Sequence, residues 1–425
     1  LKTDGNIPDM YLRGSKLRMN RRRRTSNPLT IIMLLLLIGG GIYINQVVVP
    51  QTPPLFVPTP TPTRSPESYL AEAEQYMREG KFKQAIQVYQ TALLVNPDNA
   101  AIYLAIARLQ VYTNQYQAAV DNAGNALVIN PNNAAALALR GYAQGLSGNY
   151  LDAEASLNQA IELDPNNAVP YAYLAEVLAL KSQSSAGDPD ALNRAIELSR
   201  KAQSMAPNAM ETHRARGLVL EFTTNYEEAV AEFEAAIALN PYIADLYIYL
   251  GRNYRALGEY PKAIRAFTSA STLNPTDPLP LTYLSRTYFI QGEFASAIQY
   301  AEKAIENNPT DPYLYGNLGV MHYRRGDYPR AIQALRLAVQ GGTTENGQVV
   351  EGLPLSYWPV SEYYYIYGLA LARQAQCGEA LLIARAVMET VAIEQVSVAN
   401  AQEIINICQQ VAEGGLPTPS PTPAP

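Results

Sequence analysis

The chain has 425 residues, 48% of them hydrophobic and 16% charged, which excludes a wholly disordered protein, since disorder needs few apolar side chains and a high net charge. Its formal charge is −6, but residues 1–28 carry eight basic side chains against Asp4 and Asp9, a local +6 that leaves −12 for everything after them. So acidic a body excludes a nucleic-acid-binding face, which needs lysine and arginine to neutralise phosphates.

The basic segment 1–28 ends in Arg21 to Arg24 and gives way to an apolar run, residues 29–49. At about 1.5 Å per residue this run is long enough for a bilayer core of about 30 Å. No small-residue cleavage pattern follows it, so an uncleaved signal-anchor is preferred over a signal peptide. The arginines then stay in the cytoplasm and the body is carried across the membrane; secretion after signal cleavage is the alternative. Residues 50–65, and again the tail 413–425, are rich in proline and threonine. Proline fixes φ and withholds a donor, so such stretches act as extended spacers.

Between the spacers, prolines close similar segments at Pro97, Pro131, Pro165, Pro207, Pro241, Pro275 and Pro309; five of the six intervals are 34 residues and one is 42. Asn or Asp precedes most of them, as befits a helix end that proline cannot continue. Each interval reads as two amphipathic helices and a short turn. The clearest unit runs from Ala244 to Pro275, with Tyr247, Leu250, Gly251 and Tyr254, then Gly258 and Tyr260, then Ala263, Phe267 and Ala270. Gly251 and Ala263 are read as the places where the two helices of a pair touch, and Tyr247, Tyr254, Tyr260 and Phe267 as filling between pairs.

This pattern resembles the tetratricopeptide repeat. The resemblance implies an all-α, right-handed α-solenoid of stacked antiparallel helix pairs, preceded here by one transmembrane helix. Repeats one to eight span residues 66–340, an insertion loop 341–360, and a degenerate ninth repeat with a capping helix 361–412. Eight extra residues in the fourth repeat fall around Ser182 to Asp190, and the 341–360 insertion carries Tyr357 and Trp358, a candidate contact patch.

Candidate chemistry is sparse. His213, His322, Cys377 and Cys408 are placed singly, and neither a zinc pattern nor a nucleophile, phosphate-loop or metalloprotease motif occurs. The expectation is therefore no catalytic residue, no metal, no cofactor and no enzyme. Both histidines occupy packing places of the repeat. If the last helices fold back near Glu394, Cys408 falls opposite about residue 380 and a disulfide to Cys377 is geometrically plausible; two buried free thiols are the alternative.

The resemblance also implies a concave groove, lined by the first helix of each pair, that binds peptides or protein segments. Its earlier part offers Leu70, Glu74, Leu104, Arg108, Ala138 and Tyr142. From the sixth repeat onward it offers a basic and aromatic strip of Tyr249, Arg252, Arg255, Arg286, Phe289, Asn317, Tyr323 and Arg324. Such a strip suits an extended anionic partner, held by bidentate hydrogen bonds and stacking. The reading is a membrane-anchored, extracytoplasmic scaffold with a protein or peptide partner; an envelope glycan or polymer module, or an accessory subunit of an envelope enzyme, are its rivals.

Overall fold

The computed structural model describes residues 27–48, 65–184, 188 and 190–414. The basic segment up to residue 26, residue 49 of the apolar run, residues 50–64 of the spacer and the tail from 415 lie outside the described residues, as do residues 185–187 and 189 of the fourth-repeat insertion. The chain divides into two compact units. In the first, Leu1–Thr63, helix α1 (Pro28–Tyr43) runs on as a π-helical turn over Ile44–Val48. Pro28–Val47 is long and apolar enough to cross a membrane, and none of it is buried in the protein.

In the second unit, Arg64–Pro425, eighteen helices among the described residues form nine antiparallel pairs. They are α2 (Pro66–Arg78) with α3 (Phe82–Val95), α4 (Ala100–Tyr112) with α5 (Tyr116–Ile129), and α6 (Ala134–Leu146) with α7 (Tyr150–Leu163). Next come α8 (Ala168–Ser182) with α9 (Ala191–Met205), α10 (Met210–Phe222) with α11 (Tyr226–Leu239), and α12 (Ala244–Ala256) with α13 (Tyr260–Leu273). Then follow α14 (Pro278–Ile290) with α15 (Phe294–Asn307), α16 (Pro312–Arg325) with α17 (Tyr328–Gln340), and α18 (Val360–Arg373) with α19 (Cys377–Thr390). Helix α20 (Gln395–Ala412) covers the end of the stack. The extra residues of the fourth repeat separate α8 from α9. Between α17 and α18 the insertion departs from the helical pattern in one place. Strands β1 (Gly341–Thr343) and β2 (Val349–Glu351) pair antiparallel, Gly342 opposite Val350.

Three local devices repeat with the period. Asn99, Asn133, Asn167, Asp277 and Asp311, each two residues after the proline of the ladder, accept a backbone N–H of the first turn of the helix they precede, satisfying a donor the helix cannot. The hydroxyls of Tyr171, Tyr247 and Tyr315 donate back to the carbonyls of Pro165, Pro241 and Pro309 at 3.2, 3.1 and 2.9 Å, which pins each inter-repeat turn to the helix after it. In eight of the nine pairs the short turn takes one residue in the left-handed region, glycine at Gly80, Gly148, Gly258, Gly292 and Gly326 and Asn114, Thr224 and Ala375 in the others.

Packing within a pair rests on a small residue facing a large one. A Cβ on Gly251 would lie 2.5 Å from the Phe267 ring, and one on Gly217 2.9 Å from Phe233. Phe267 therefore fills the space inside its own pair, not only between pairs as the spacing suggests, and it reaches the next pair by stacking on Tyr283 at 5.0 Å. Tyr247 is likewise no simple filler, being held at the rim by its hydroxyl bond to Pro241. At the far end, Cys377 and Cys408 are joined by a disulfide with a Cα–Cα distance of 5.5 Å.

The stack also touches itself. Asn114 in the turn of the second repeat donates to Asp277 Oδ2 at 3.1 Å, across 163 residues of sequence. The ring of Tyr242, after the proline of the fifth repeat, lies so close over Gly80 that a Cβ there would meet it at 2.2 Å. Solenoid repeats normally contact only their neighbours. Here the early repeats wind tightly enough for the turns of repeats one and two to meet those that follow repeats five and six.

Candidate functional site

This winding divides the concave side into a closed part and an open part. In the closed part, side chains from the first helices of repeats three to six converge. Arg214, 2% exposed, donates through Nε to Glu176 Oε1 at 3.1 Å, and the Tyr142 hydroxyl donates to the same oxygen at 2.8 Å. Tyr142 stacks on Tyr173 with ring centroids 4.0 Å apart, the Arg214 guanidinium lies over the rings of Tyr142 and Tyr249, and Asp245 Oδ2 is 3.8 Å from Arg214. One cation faces two carboxylates, and all three residues are buried. Burial raises the Asp245 carboxyl to about 6, against the pull of Arg214, because a second buried anion is costly when one guanidinium is already paired. The earlier groove expected to be a more apolar binding surface is thus partly occupied by protein. Tyr142 and Ala138 are buried, while Glu74 and Arg108 line a cavity of about 730 Å³ facing the turn of Leu239 to Tyr242.

The open part begins at the sixth repeat, where a cavity of about 390 Å³ is walled by Arg252, Arg255, Arg286 and Phe289 on the groove side and by Trp358 and Glu362 from the C-terminal side. The placement follows from the elements. Arg252 and Arg255 are one turn apart on α12, while Arg286, on α14, follows Arg252 by one repeat period. The Tyr363 ring of α18 lies so close to Gly316 that a Cβ there would meet it at 2.6 Å. Arg252 is committed to Glu221 of the previous repeat at 2.6 Å. Arg286 donates through Nε to Asn317 Oδ1 at 3.1 Å, and Asn317 donates in turn to Ser285 Oγ at 3.2 Å. Arg255 lies over the Tyr283 ring, 5.1 Å from its centroid, and makes no ion pair among the described residues. Burial, reinforced by the neighbouring charges of Arg286 and Arg252, pushes its pKa below the usual arginine value. Glu362 is pushed up by burial, against the pull of Arg324 and Arg286.

The expected strip therefore separates. Arg252, Arg255, Arg286, Phe289 and Asn317 come together around the cavity. Tyr249 does not join them; it is buried, stacks on Phe233 at 5.3 Å and belongs to the closed part. Tyr323 packs on Tyr328 and against the C-terminal core, and Arg324 is turned into the protein, its Nε buried without a hydrogen-bond partner. Residues three or four apart on a helix share a face, but the tight winding decides how much of that face stays open. Of the insertion, Trp358 is 65% exposed at the cavity rim, held by its backbone N–H on Glu394 Oε1 at 3.0 Å; Tyr357 beside it is exposed too. Sequence reasoning missed Glu221, Glu362 and Tyr363 as walls or counter-ions. It also missed Asn114 and Tyr242, which close the stack, although both break the repeat: asparagine where five other turns have glycine, and an aromatic where the other turns have Asp, Asn or Thr.

His213 Nδ1 lies 2.6 Å from Glu232 Oε2 within its own pair, and His322 is buried. Among the described residues no group of three or more His, Cys, Asp or Glu side chains is arranged to hold a metal ion.

Comparison with known proteins agrees with this architecture. Family models of the tetratricopeptide repeat match residues 104–168, 214–278 and 283–346, and a further repeat model matches residues 73–112, together more than half of the chain. The chain belongs to the tetratricopeptide repeat family. Among solved structures, one titled as the functional characterization of Pseudomonas aeruginosa pilF is 21% identical over 48% of this chain and 90% of its own, with a TM-score of 0.39. A tetratricopeptide repeat protein from Parabacteroides merdae is 15% identical over 60% of this chain and 98% of its own, also at 0.39. No curated protein matches it significantly. Tetratricopeptide arrays generally mediate protein–protein interaction and scaffolding and are generally non-catalytic.

Proposed function

We propose that this tetratricopeptide array is a membrane-anchored, extracytoplasmic scaffold that captures a segment of a partner protein in the open groove of repeats six to nine. The observation that carries the reading is the convergence of Arg255, Arg286 and Phe289 with the exposed Trp358 on one accessible cavity. Aromatic and arginine side chains around a recess are the composition of protein-recognition hot spots. The apolar helix Pro28–Val47, preceded by Arg21 to Arg24, supports anchoring with the array on the far side of the membrane. The proline-rich spacer 50–65 would hold the array away from the bilayer surface.

The test is in-cell photo-crosslinking from a reactive residue at Phe289, with a control at Leu94, which is exposed on a second helix. Phe289 is the better site than Arg286, whose hydrogen bonds hold the cavity wall. The expected result is a discrete polypeptide captured from Phe289 but not from Leu94, in an adduct that protease added outside intact spheroplasts can degrade. Capture of envelope polymer alone would move the reading to a glycan-binding module, and full protease protection would overturn the topology.

A further inference from the structure

The cavity beside Arg255 does not end at Arg286. On the other side of Arg286 and Tyr363 a second recess of about 250 Å³ opens, walled by Pro278, Leu279, Tyr283 and Tyr313 of α14 and α16 and by Pro359 of the insertion. The two recesses share Arg286 and Tyr363 as a common wall, so they form one groove with two chambers of different chemistry. The second chamber is aromatic and aliphatic, and Tyr313 and Leu279 stay exposed along it.

The charges of the first chamber count out unevenly. Arg252 is neutralised by Glu221. Glu362 feels the pull of both Arg324 and Arg286. Arg255 is left over, half-buried against Tyr283 and flanked by two further guanidiniums. A partly desolvated arginine that makes no ion pair among the described residues favours an incoming carboxylate, because part of the cost of stripping its water has already been met and the bond formed is charge-assisted. With the carboxylates of Glu362 and Asp311 also on the walls, the groove matches a single negative charge better than a doubly charged phosphate.

We infer that the groove takes an extended acidic peptide segment, with one Asp or Glu carboxylate on Arg255 and Arg286 and a neighbouring large apolar side chain among Tyr283, Tyr313 and Tyr363. Trp358 of the insertion closes over the carboxylate end. The inference rests on the peptide-groove reading above and specifies its ligand. An extended strand presents alternate side chains to opposite sides and advances about 3.3 Å per residue, so the spacing between the acidic and the apolar residue is part of the specificity.

Trp358 is the chain's single tryptophan, so tryptophan emission of the whole protein in detergent reports this rim alone. The probes are short Gly/Ser peptides carrying one Glu and one Leu at increasing separations, each with a Gln-for-Glu counterpart. The expected result is a saturable emission change with the Glu peptides of a preferred spacing. Binding falls by about tenfold or more with Gln in place of Glu, or in the Arg255→Gln protein, as loss of one charged hydrogen bond predicts. Because Arg255 is half-buried, Leu279→Ser on the exposed wall of the second chamber provides an independent variant, which weakens the Leu peptides and leaves Leu-free ones unchanged. Equal saturation by Glu and Gln peptides would overturn the acidic specificity and leave the scaffold standing. If no peptide saturates while a soluble polyuronate does, both readings fall.

Discussion

Thr224 shows how a single residue can sit against the grain of an otherwise regular array. Its φ is 62° in the turn between α10 and α11, where five equivalent turns use glycine, and a β-branched side chain is disfavoured in that region by about 1 kcal/mol or more. Thr224→Gly is expected to raise the stability of the fifth repeat by up to about 1 kcal/mol, read as slower amide exchange in α10 and α11. Asp245 carries a different tension. Its folded pKa of about 6 stands above the ordinary value of 3.8, so between these values the folded state binds more protons than the unfolded one. Its contribution to stability is full below about pH 4 and is lost as pH rises through 6. Asp245→Asn, which leaves Arg214 paired with Glu176, is therefore expected to raise the melting temperature at pH 7.5 and to make little difference at pH 4. An Asn protein less stable than the parent at pH 7.5 would show that Asp245 serves as a needed counter-ion to Arg214.

Among the elements, the capping helix α20 is the one whose attachment is covalent. It buries Ala401, Ile404 and Ile407 against the ninth pair and is tied to the start of α19 through Cys408 and Cys377, 31 residues apart. Closing a loop of that length removes chain entropy from the unfolded state worth about 3–4 kcal/mol, and end repeats fray first because they have one neighbour. The Cys377→Ser, Cys408→Ser double variant is expected to speed amide exchange in α20 and α19 while leaving α4 to α7 unchanged. Most of this level was legible in sequence: the 34-residue period, the helix pairs and the place of the fourth-repeat insertion follow from periodicity and prolines alone. The hairpin inside the 341–360 insertion was not, since Gly341–Thr343 and Val349–Glu351 are too short for an alternation to register.

At the scale of the whole molecule, the winding of the stack sets what its inner face can do. The contacts of Tyr242 with Gly80 and of Asn114 with Asp277 close the early repeats over the Arg214 cluster, and each is made by a residue that departs from the repeat consensus. Restoring the pattern with Tyr242→Asn and Asn114→Gly is expected to open the array, measured as a larger radius of gyration in small-angle scattering. An unchanged radius would mean that the stacking of neighbouring repeats alone sets the curvature.

Helix pairs, their turns and their caps depend on residues within one repeat or the next, so the 34-residue pattern by itself determined the tetratricopeptide fold and a groove in which Arg252, Arg255, Arg286 and Phe289 share a face, while the apolar segment near the start was legible from its own length and composition. Only the tertiary structure decided which of those groove residues are open. That depends on small rotations between repeats summed along the stack, which bury Tyr249 with Arg214, pair Arg252 with Glu221 and bring Trp358 across the groove to Arg255. Such sums are invisible in any one repeat, because each repeat specifies only its contact with its neighbour.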